Sequence, residues 1–334
     1  MHSGRQVRTS LLHMSSWREF PWQPEAPDAR SDRLCATGRR RDQPECAIEG
    51  ADFRSGPAAL EDELVIWAYN IERGMRIDDQ LRAISGDSGM PDPDVLLISE
   101  ADRGCTRTDG RNIAREYARA LGMCYVYGAE FIELPRFWGP GGRISGRCEH
   151  GNAIISRYPI GNVRLIRHHR SRSWNSRVQR LARVGQPRLG GRVAVAADLR
   201  IGERLLRTYA VHFESGHVRV GPTNRDDYRS AQARELIADA SGLQRGVVIG
   251  GDMNVVRHLA TDAGEEPTTT VLFEAGFEDG HASLPRDERT TTDSGLTIDL
   301  IVGRGLRFTG AGVGARSIWG DLSDHLPIWA SIAW

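Results

Sequence analysis

Short apolar runs separated by turn-forming residues recur along the chain from Glu63 onward. Runs of roughly four to eight residues bounded by Gly, Pro, Asn or Asp are typical of β-strands. Two of them, 193–197 and 247–249, show almost no polar alternation, which indicates sheets buried on both faces. The pattern predicts strands over 64–69, 94–99, 151–156, 192–199, 205–213, 246–251, 297–302 and 327–333.

Three segments between these runs have the apolar spacing of helices. Predicted caps and stops flank them, because Asp and Thr favour helix starts and Gly favours helix ends. The predicted helices run over 111–121 after Asp109, from Thr223 to about residue 240 before Gly242, and from near Thr268 to the residue before Gly276. Many strands, few helices and long loops predict a sandwich of two sheets with helices outside.

Residues 1–60 lack periodicity and are rich in Arg, Pro, Asp and Ser. Such a composition buries too little apolar surface to offset the entropy of ordering, so we expect a disordered extension. Its Arg39–Arg41 run has two interpretations, a solvated tail or a basic anchor for nucleic acid. The folded domain is predicted over 61–334.

The 334 residues carry no net charge and no lysine, so every basic side chain other than histidine is an arginine. A neutral chain has no global field that draws it to nucleic acid or to an anionic membrane. The five cysteines form no CxxC spacing, which predicts free thiols in a reducing compartment and a cytoplasmic protein. No apolar run approaches the roughly 18 residues of a membrane span.

Polar side chains follow several predicted strands at the point where each strand ends. Asn70 and Glu100 end the first two strands, Asp252 and Asn254 follow Gly250-Gly251, and Asp324 precedes the last strand. Carboxylate and amide oxygens are the ligands that Mg²⁺ prefers in proteins. We therefore expect Glu100 and Asn70 at a metal site.

The remaining polar residues have the chemistry that phosphate ester hydrolysis needs. If the backbone stays extended, Asp252 and Asn254 point to the same face, one as a water-orienting base and the other as a donor to phosphate. His325 would stabilise the negative charge that develops in the transition state, and Asp299 would hold it protonated or correctly oriented.

Each of these motifs also has a purely structural interpretation. An Asp-x-Asn after two glycines is often a turn, and an Asp-His pair before Leu-Pro is often an Asx-turn. The functional interpretation depends on the occurrence of all of them together, in one order along the chain.

The set resembles the endonuclease/exonuclease/phosphatase superfamily. The motifs that carry the resemblance are Asn70-Ile71, Ser99-Glu100, Gly151-Asn152-Ala153-Ile154-Ile155-Ser156, Gly251-Asp252-Met253-Asn254, Ile298-Asp299 and Ser323-Asp324-His325-Leu326-Pro327. The resemblance implies a DNase-like α/β (α+β) fold, a four-layer α/β/β/α sandwich with two packed mixed sheets. It also implies dependence on Mg²⁺ or Mn²⁺, with Asp324 as a ligand of the metal or a neighbour of its ligands.

Three further residues are predicted at the site. His212 matches a position where many members carry a Thr-His pair, although Ala210-Val211 precedes it here. Its alternatives are a phosphate contact and a histidine packed at a strand end. His150 is a weaker candidate of the same kind, and Arg192 resembles a substrate-binding position.

The resemblance implies a metal-dependent phosphoesterase of nuclease or phosphodiesterase type. The segment 164–192 holds nine arginines, no acidic residue and Trp174, so it could clamp a polyanion or be a surface loop. Nucleic acid or nucleotide is the leading substrate prediction, and no partner protein is inferred. The alternatives are a phosphatase or phospholipase-type member acting on a small phosphorylated or lipid substrate, and an inactive binding scaffold.

Overall fold

The computed structural model describes residues 48–59, 61–139, 142–146, 148–171, 186–215, 228–257 and 266–334. The strands in chain order are β1 Ile48–Asp52, β2 Leu64–Asn70, β3 Val95–Arg103, β4 Cys124–Glu133, β5 Cys148–Ser156, β6 Ile160–Arg167, β7 Arg188–Gly190, β8 Val193–Ile201, β9 Arg204–His212, β10 Val247–Arg257, β11 Glu278–Asp279, β12 Thr297–Arg304, β13 Arg307–Val313 and β14 Ile328–Ala333. The α-helices are α1 Ile77–Ser85, α2 Ile113–Leu121, α3 Tyr228–Asp239, α4 Pro267–Glu274 and α5 Arg316–Trp319, and short 3-10 turns lie at Glu72–Gly74, Thr106–Thr108 and Arg286–Arg289.

The strands form two mixed sheets. The first has the order β1-β4-β5-β3-β2-β14-β13, with β7 pairing on β4, and the second has the order β11-β12-β10-β9-β8-β6. Parallel pairing joins β2 to β3 in the first sheet and β9 to β10 in the second. Parallel neighbours end at the same edge of a sheet, so polar residues at their carboxyl ends come together.

The two sheets pack face to face with helices outside. Along β2, Ile66 and Ala68 point into the core between the sheets, while Trp67 and Tyr69 point to the opposite face and pack under α1, α2 and α5. Helices α3 and α4 cover the outer face of the second sheet. Because central strands are buried on both faces, they lack polar alternation. The predicted α/β/β/α sandwich with two mixed sheets is confirmed.

The predicted elements are confirmed and others are added. All eight predicted strands are present, and helices occur near 111–121 and 268–275. Asn112, rather than Asp109, caps α2 by accepting from the Arg115 N–H. The helix predicted from Thr223 is present over its described part, α3, and Thr223 itself lies outside the described residues.

Two expectations are corrected. Residues 48–52, expected within a disordered extension, form β1 and pair with β4, because Glu49 is held by Arg103, Tyr125 and Asn112. The extension prediction for 1–47 lies outside the described residues. The expectation of free thiols is wrong for Cys105 and Cys148, which form a disulfide typical of an oxidising compartment.

Within the described part of the chain, no helix is both long and apolar enough to cross a membrane.

Candidate active site

The candidate site lies where β2 and β9 end, beside residues within the neighbouring strands β3 and β10. Ser99 Oγ of the first sheet donates to the Val211 carbonyl (2.9 Å) of the second, and the Asp252 N–H donates to Ser99 Oγ (3.4 Å). Asn70 Nδ2 donates to Asp252 Oδ2 over 3.0 Å. These bonds fix the two sheets to each other at one edge and place residues that are 182 positions apart in direct contact.

A glycine allows this close approach. Gly251 has φ +139°, and a Cβ there would lie 2.1 Å from the Val211 carbonyl oxygen. Only glycine avoids that clash. The pairing of β9 with β10 consequently places His212 beside Asp252. The distance from His212 Nε2 to Asp252 Oδ2 is 3.3 Å.

An imidazole lies between two carboxylates at the centre of the site. His325 Nδ1 is 2.8 Å from Asp299 Oδ2, and His325 Nε2 is 3.8 Å from Asp252 Oδ2. The pairing of β10 with β12 places Asp252 opposite Asp299. Ser323 Oγ accepts from the His325 N–H and donates to the Asn70 carbonyl, which anchors the turn that carries the imidazole.

The charges of this trio depend on one another. Burial acts to lower the pKa of His325, but Asp299 and Asp252 raise that pKa well above its usual value. Burial also raises the pKa of Asp252 to about 7, with His325 opposing the rise and Asp299 adding to it. The imidazole is therefore a cation at neutral pH, beside a carboxyl that can exchange a proton there.

Glu100 projects from an irregular point in β3. Its φ is +62°, and the register between β3 and β5 shifts between Ile98 and Ala101. Arg73 Nη1 is 3.6 Å from Glu100 Oε2. Burial alone would raise the pKa of Glu100, but the Arg73 guanidinium outweighs burial and holds that pKa well below the usual value, so the carboxylate is anionic.

Two further acids lie near Glu100. Burial raises the pKa of Glu72, and Asp324 and Glu100 raise it further against the opposing effect of Arg73. Asp324 is exposed as a residue, yet partial burial of its carboxyl and the nearby Glu100 raise its pKa, while His325 opposes the rise. This excess of negative charge is a suitable environment for a cation.

His150 and His212 form a second group with Glu100. One ligand atom from each of the three side chains lies within 4.8 Å of the others. His150 Nδ1 is 3.1 Å from Asp102 Oδ1, and Arg107 binds the same carboxylate. Burial lowers the pKa of both imidazoles, well below the usual value for His212, so both rings are neutral.

Two predicted residues have contacts other than those expected. The amide of Asn254 donates to the Phe213 carbonyl, because Asn254 has φ +51° and the backbone is no longer extended there. The expected alternation from Asp252 to Asn254 is therefore wrong, and the phosphate-orienting role of Asn254 stays a prediction. Arg192 is buried in an ion pair with Glu130 (3.1 Å), so its substrate contact also stays a prediction.

Several site residues were not predicted. Arg73 follows Asn70 by three positions, and Ser323 opens the Ser-Asp-His motif, so nearness to a motif could have identified both. Asp102 and Glu130 gave weaker signals, because each is one of two acids in its strand and neither belongs to a recognisable motif. The aromatic Trp174 and the centre of the arginine-rich segment lie outside the described residues.

Together, two packed mixed sheets and an acid–imidazole site at their common edge define a DNase-like sandwich. The chain belongs to the endonuclease/exonuclease/phosphatase family, whose family model matches residues 68–325. No curated protein sequence matches the chain.

Solved structures share the fold at low sequence identity. An endonuclease/exonuclease/phosphatase from Beutenbergia cavernae is 16% identical, with a TM-score of 0.59 over 82% of this chain and 72% of that one. A humanized D. rerio TDP2 is 15% identical, with a TM-score of 0.56 over 82% of this chain and all of that one. The human Nocturnin catalytic domain with bound sulfate is 16% identical, with a TM-score of 0.53 over 86% and 97%.

Proposed function

We propose that this protein hydrolyses phosphate mono- or diesters with the help of a divalent metal ion, Mg²⁺ or Mn²⁺. The observation that carries the proposal is the continuous chain of contacts Asn70–Asp252–His325–Asp299 at the sheet edge. Four polar side chains from distant parts of the sequence are buried together there, at a cost that a structural role alone does not explain.

The acids around Glu100 support a metal ion at this place. Glu72, Glu100 and Asp324 repel one another, and a hard cation with oxygen ligands would remove that repulsion. The side-chain amide oxygen Oδ1 of Asn70, which accepts from the Glu72 N–H, could contribute as a ligand as well. A bound cation supplies charge neutralisation of the phosphoryl oxygens and acidification of a bound water.

The other residues have complementary roles. His325, held by Asp299, would donate from Nε2 to a phosphoryl oxygen and stabilise charge in the transition state. Asp252 would accept a proton from the attacking water, since its pKa lies near neutral pH. His212, 3.3 Å from Asp252, would keep that carboxylate in position, and Asn254 fixes it by donating its N–H to Asp252 Oδ1.

Nucleic acid or nucleotide is the proposed substrate class. Solved structures with this fold include D. rerio TDP2 complexed with a single-strand DNA product. The segment 164–192 has nine arginines and no acid, and although Arg164, Arg188 and Arg192 pair with acids elsewhere in the chain, its basic composition suits a polyanion. The zero net charge of the chain favours a second candidate, a small phosphorylated substrate, because proteins that grip long duplex DNA are usually basic.

A chromogenic assay tests the proposal. The full chain should hydrolyse bis-p-nitrophenyl phosphate with added Mg²⁺ or Mn²⁺, and EDTA should abolish the activity. Comparison with p-nitrophenyl phosphate separates diesterase from monoesterase activity. Duplex DNA, single-stranded DNA, RNA, inositol phosphates and sphingomyelin then identify the substrate class. No turnover of any of these with any metal would favour an inactive scaffold.

A further inference from the structure

We propose that Glu100, His150 and His212 form a nitrogen-rich metal site that binds a transition-metal ion such as Co²⁺ or Zn²⁺ in preference to Mg²⁺. One ligand atom of each side chain lies within 4.8 Å of the other two. Two imidazoles and one carboxylate form a donor set that suits these ions, whereas Mg²⁺ prefers oxygen ligands.

Two ring nitrogens at this place have no hydrogen-bond partner within the described structure. They are His150 Nε2 and His212 Nδ1, and both atoms are buried. A buried nitrogen without a partner is energetically unfavourable, so buried polar atoms of native proteins are nearly always satisfied. Coordination of a metal ion by each imidazole would remove that cost.

The surroundings of His150 are those of a metal-bound histidine. Its Nδ1 atom is 3.1 Å from Asp102 Oδ1, which fixes the ring and leaves Nε2 as the free nitrogen. Arg107 in turn holds Asp102 through two bonds of 2.6 and 2.7 Å. A carboxylate behind a ligating imidazole orients the ring and increases its basicity.

The three ligands are carried by rigid elements of both sheets. Glu100 and His150 lie on the neighbouring strands β3 and β5, and His212 ends β9 of the other sheet. The register shift in β3 changes the direction in which Glu100 points relative to a regular strand. The site is therefore preorganised, and an ion there would link the two sheets.

The catalytic role of the ion rests on the proposed function, but metal binding itself is measured without substrate. Metal-free full-length protein is titrated with Co²⁺ and separately with Mg²⁺, by calorimetry and by visible absorption of Co²⁺. We expect one Co²⁺ to bind at least about tenfold more tightly than Mg²⁺. Equal or weaker binding of Co²⁺ would overturn the proposal.

Variants assign the ligands. His150→Gln and His212→Gln should each weaken Co²⁺ binding by about tenfold or more, and leave Mg²⁺ binding within about twofold. His281→Gln is the matched control, because His281 is also buried but bonds to the Gly312 carbonyl. Unchanged Co²⁺ affinity in both variants would contradict the assignment, and circular dichroism shows whether each variant folds.

A measurement on the unmodified chain keeps the test decisive if a variant does not fold. X-ray absorption of one equivalent of bound Co²⁺ should show the scattering of imidazole ligands. Oxygen ligands alone would exclude the site, even if the protein hydrolyses esters. Imidazole ligands without any hydrolysis would support the site and contradict the proposed function, so the two failures are distinguishable.

Discussion

Two clusters at the same sheet edge combine the same side chains in opposite proportions. The acid-rich cluster, Asp252, Asp299 and His325, has two carboxylates and one imidazole. The imidazole-rich cluster, Glu100, His150 and His212, has one carboxylate and two imidazoles. All are buried except Glu100, which is partly exposed. The two clusters touch through His212, which is 3.3 Å from Asp252.

The ratio of carboxylates to imidazoles in each cluster decides the charge on its imidazoles. Two carboxylates outweigh burial and hold His325 as a cation, which can bind phosphate. Burial and the nearby Arg192 keep His212 neutral, so one of its ring nitrogens is unprotonated and can bind a metal ion. Identical rings a few ångströms apart therefore have different chemistry because of their neighbours alone.

The largest effect is expected at the buried ion pair beside the imidazole-rich cluster. Arg192→Met removes the partner of Glu130, whose carboxylate lies 3.8 Å from His212. Loss of one member of a buried pair costs about 3–5 kcal/mol of the free energy of unfolding. Urea titration measures the loss.

The control is Arg164→Met, which breaks an exposed pair with Asp239 and should cost only about 0–1 kcal/mol. Burial raises the pKa of Glu130 to about 7 against the opposing effect of Arg192, so the loss of Arg192 raises that pKa further above the unfolded value. Stability is then kept at low pH and lost as the pH rises through the folded pKa. A loss equal to that of the control would show that the pair is not needed.

The acid-rich cluster should control turnover. His325→Ala should lower turnover of bis-p-nitrophenyl phosphate by about 10²–10³-fold, since the charge in the transition state loses its donor. Metal affinity, measured by the Co²⁺ titration, should stay within about twofold, because His325 is not in the imidazole-rich cluster. A wild-type rate would remove His325 from the mechanism.

The disulfide lies beside the imidazole-rich cluster. Cys148 lies two residues before His150, and Cys105 joins the 3-10 turn that carries Arg107. Cys105→Ser should lower the free energy of unfolding by about 2–4 kcal/mol. Reductant should destabilise the wild type by a similar amount and leave the variant unchanged. If reductant acts equally on both, the disulfide does not contribute.

Every member of both clusters was predicted from the sequence, but of the contacts within them only the pairing of His325 with Asp299 was predicted, and the grouping of Glu100 with His150 and His212 was not. Asp252 and His325 lie in short motifs next to apolar strands, so their sequence neighbours alone identify them as candidate site residues. Asp102 and Glu130 gain their roles from contacts across strands, and β4 was itself not predicted because its tyrosines, glycine and acids hide its apolar period.

The fold was predicted from the same local signals. Central strands such as β8 and β10 are buried on both faces, so the sequence of each is a nearly continuous apolar run. Strands at the sheet edges, β6 and β13, are partly exposed and give no such signal. The disulfide depends on the distance between Cys105 and Cys148, which spacing along the chain does not contain.

The pH dependence of turnover is the finest test of the acid-rich cluster. Asp252 accepts a proton only as a carboxylate, and burial raises its pKa to about 7. The rate should therefore fall about tenfold per pH unit on the acid side of that value. A bound cation near Glu100 favours the carboxylate, so with saturating metal the acid limb lies at or below pH 7.

Asp299→Asn sharpens this test, because Asp299 raises the pKa of both Asp252 and His325. Without its charge, the acid limb of kcat/KM should move to lower pH, and the fall at high pH caused by loss of the His325 proton should move to lower pH as well. Profiles from about pH 5 to about pH 9 at saturating metal measure both limbs. Limbs that stay in place would show that Asp299 does not set the charge of its neighbours, and the contrast between the two clusters would then need another cause.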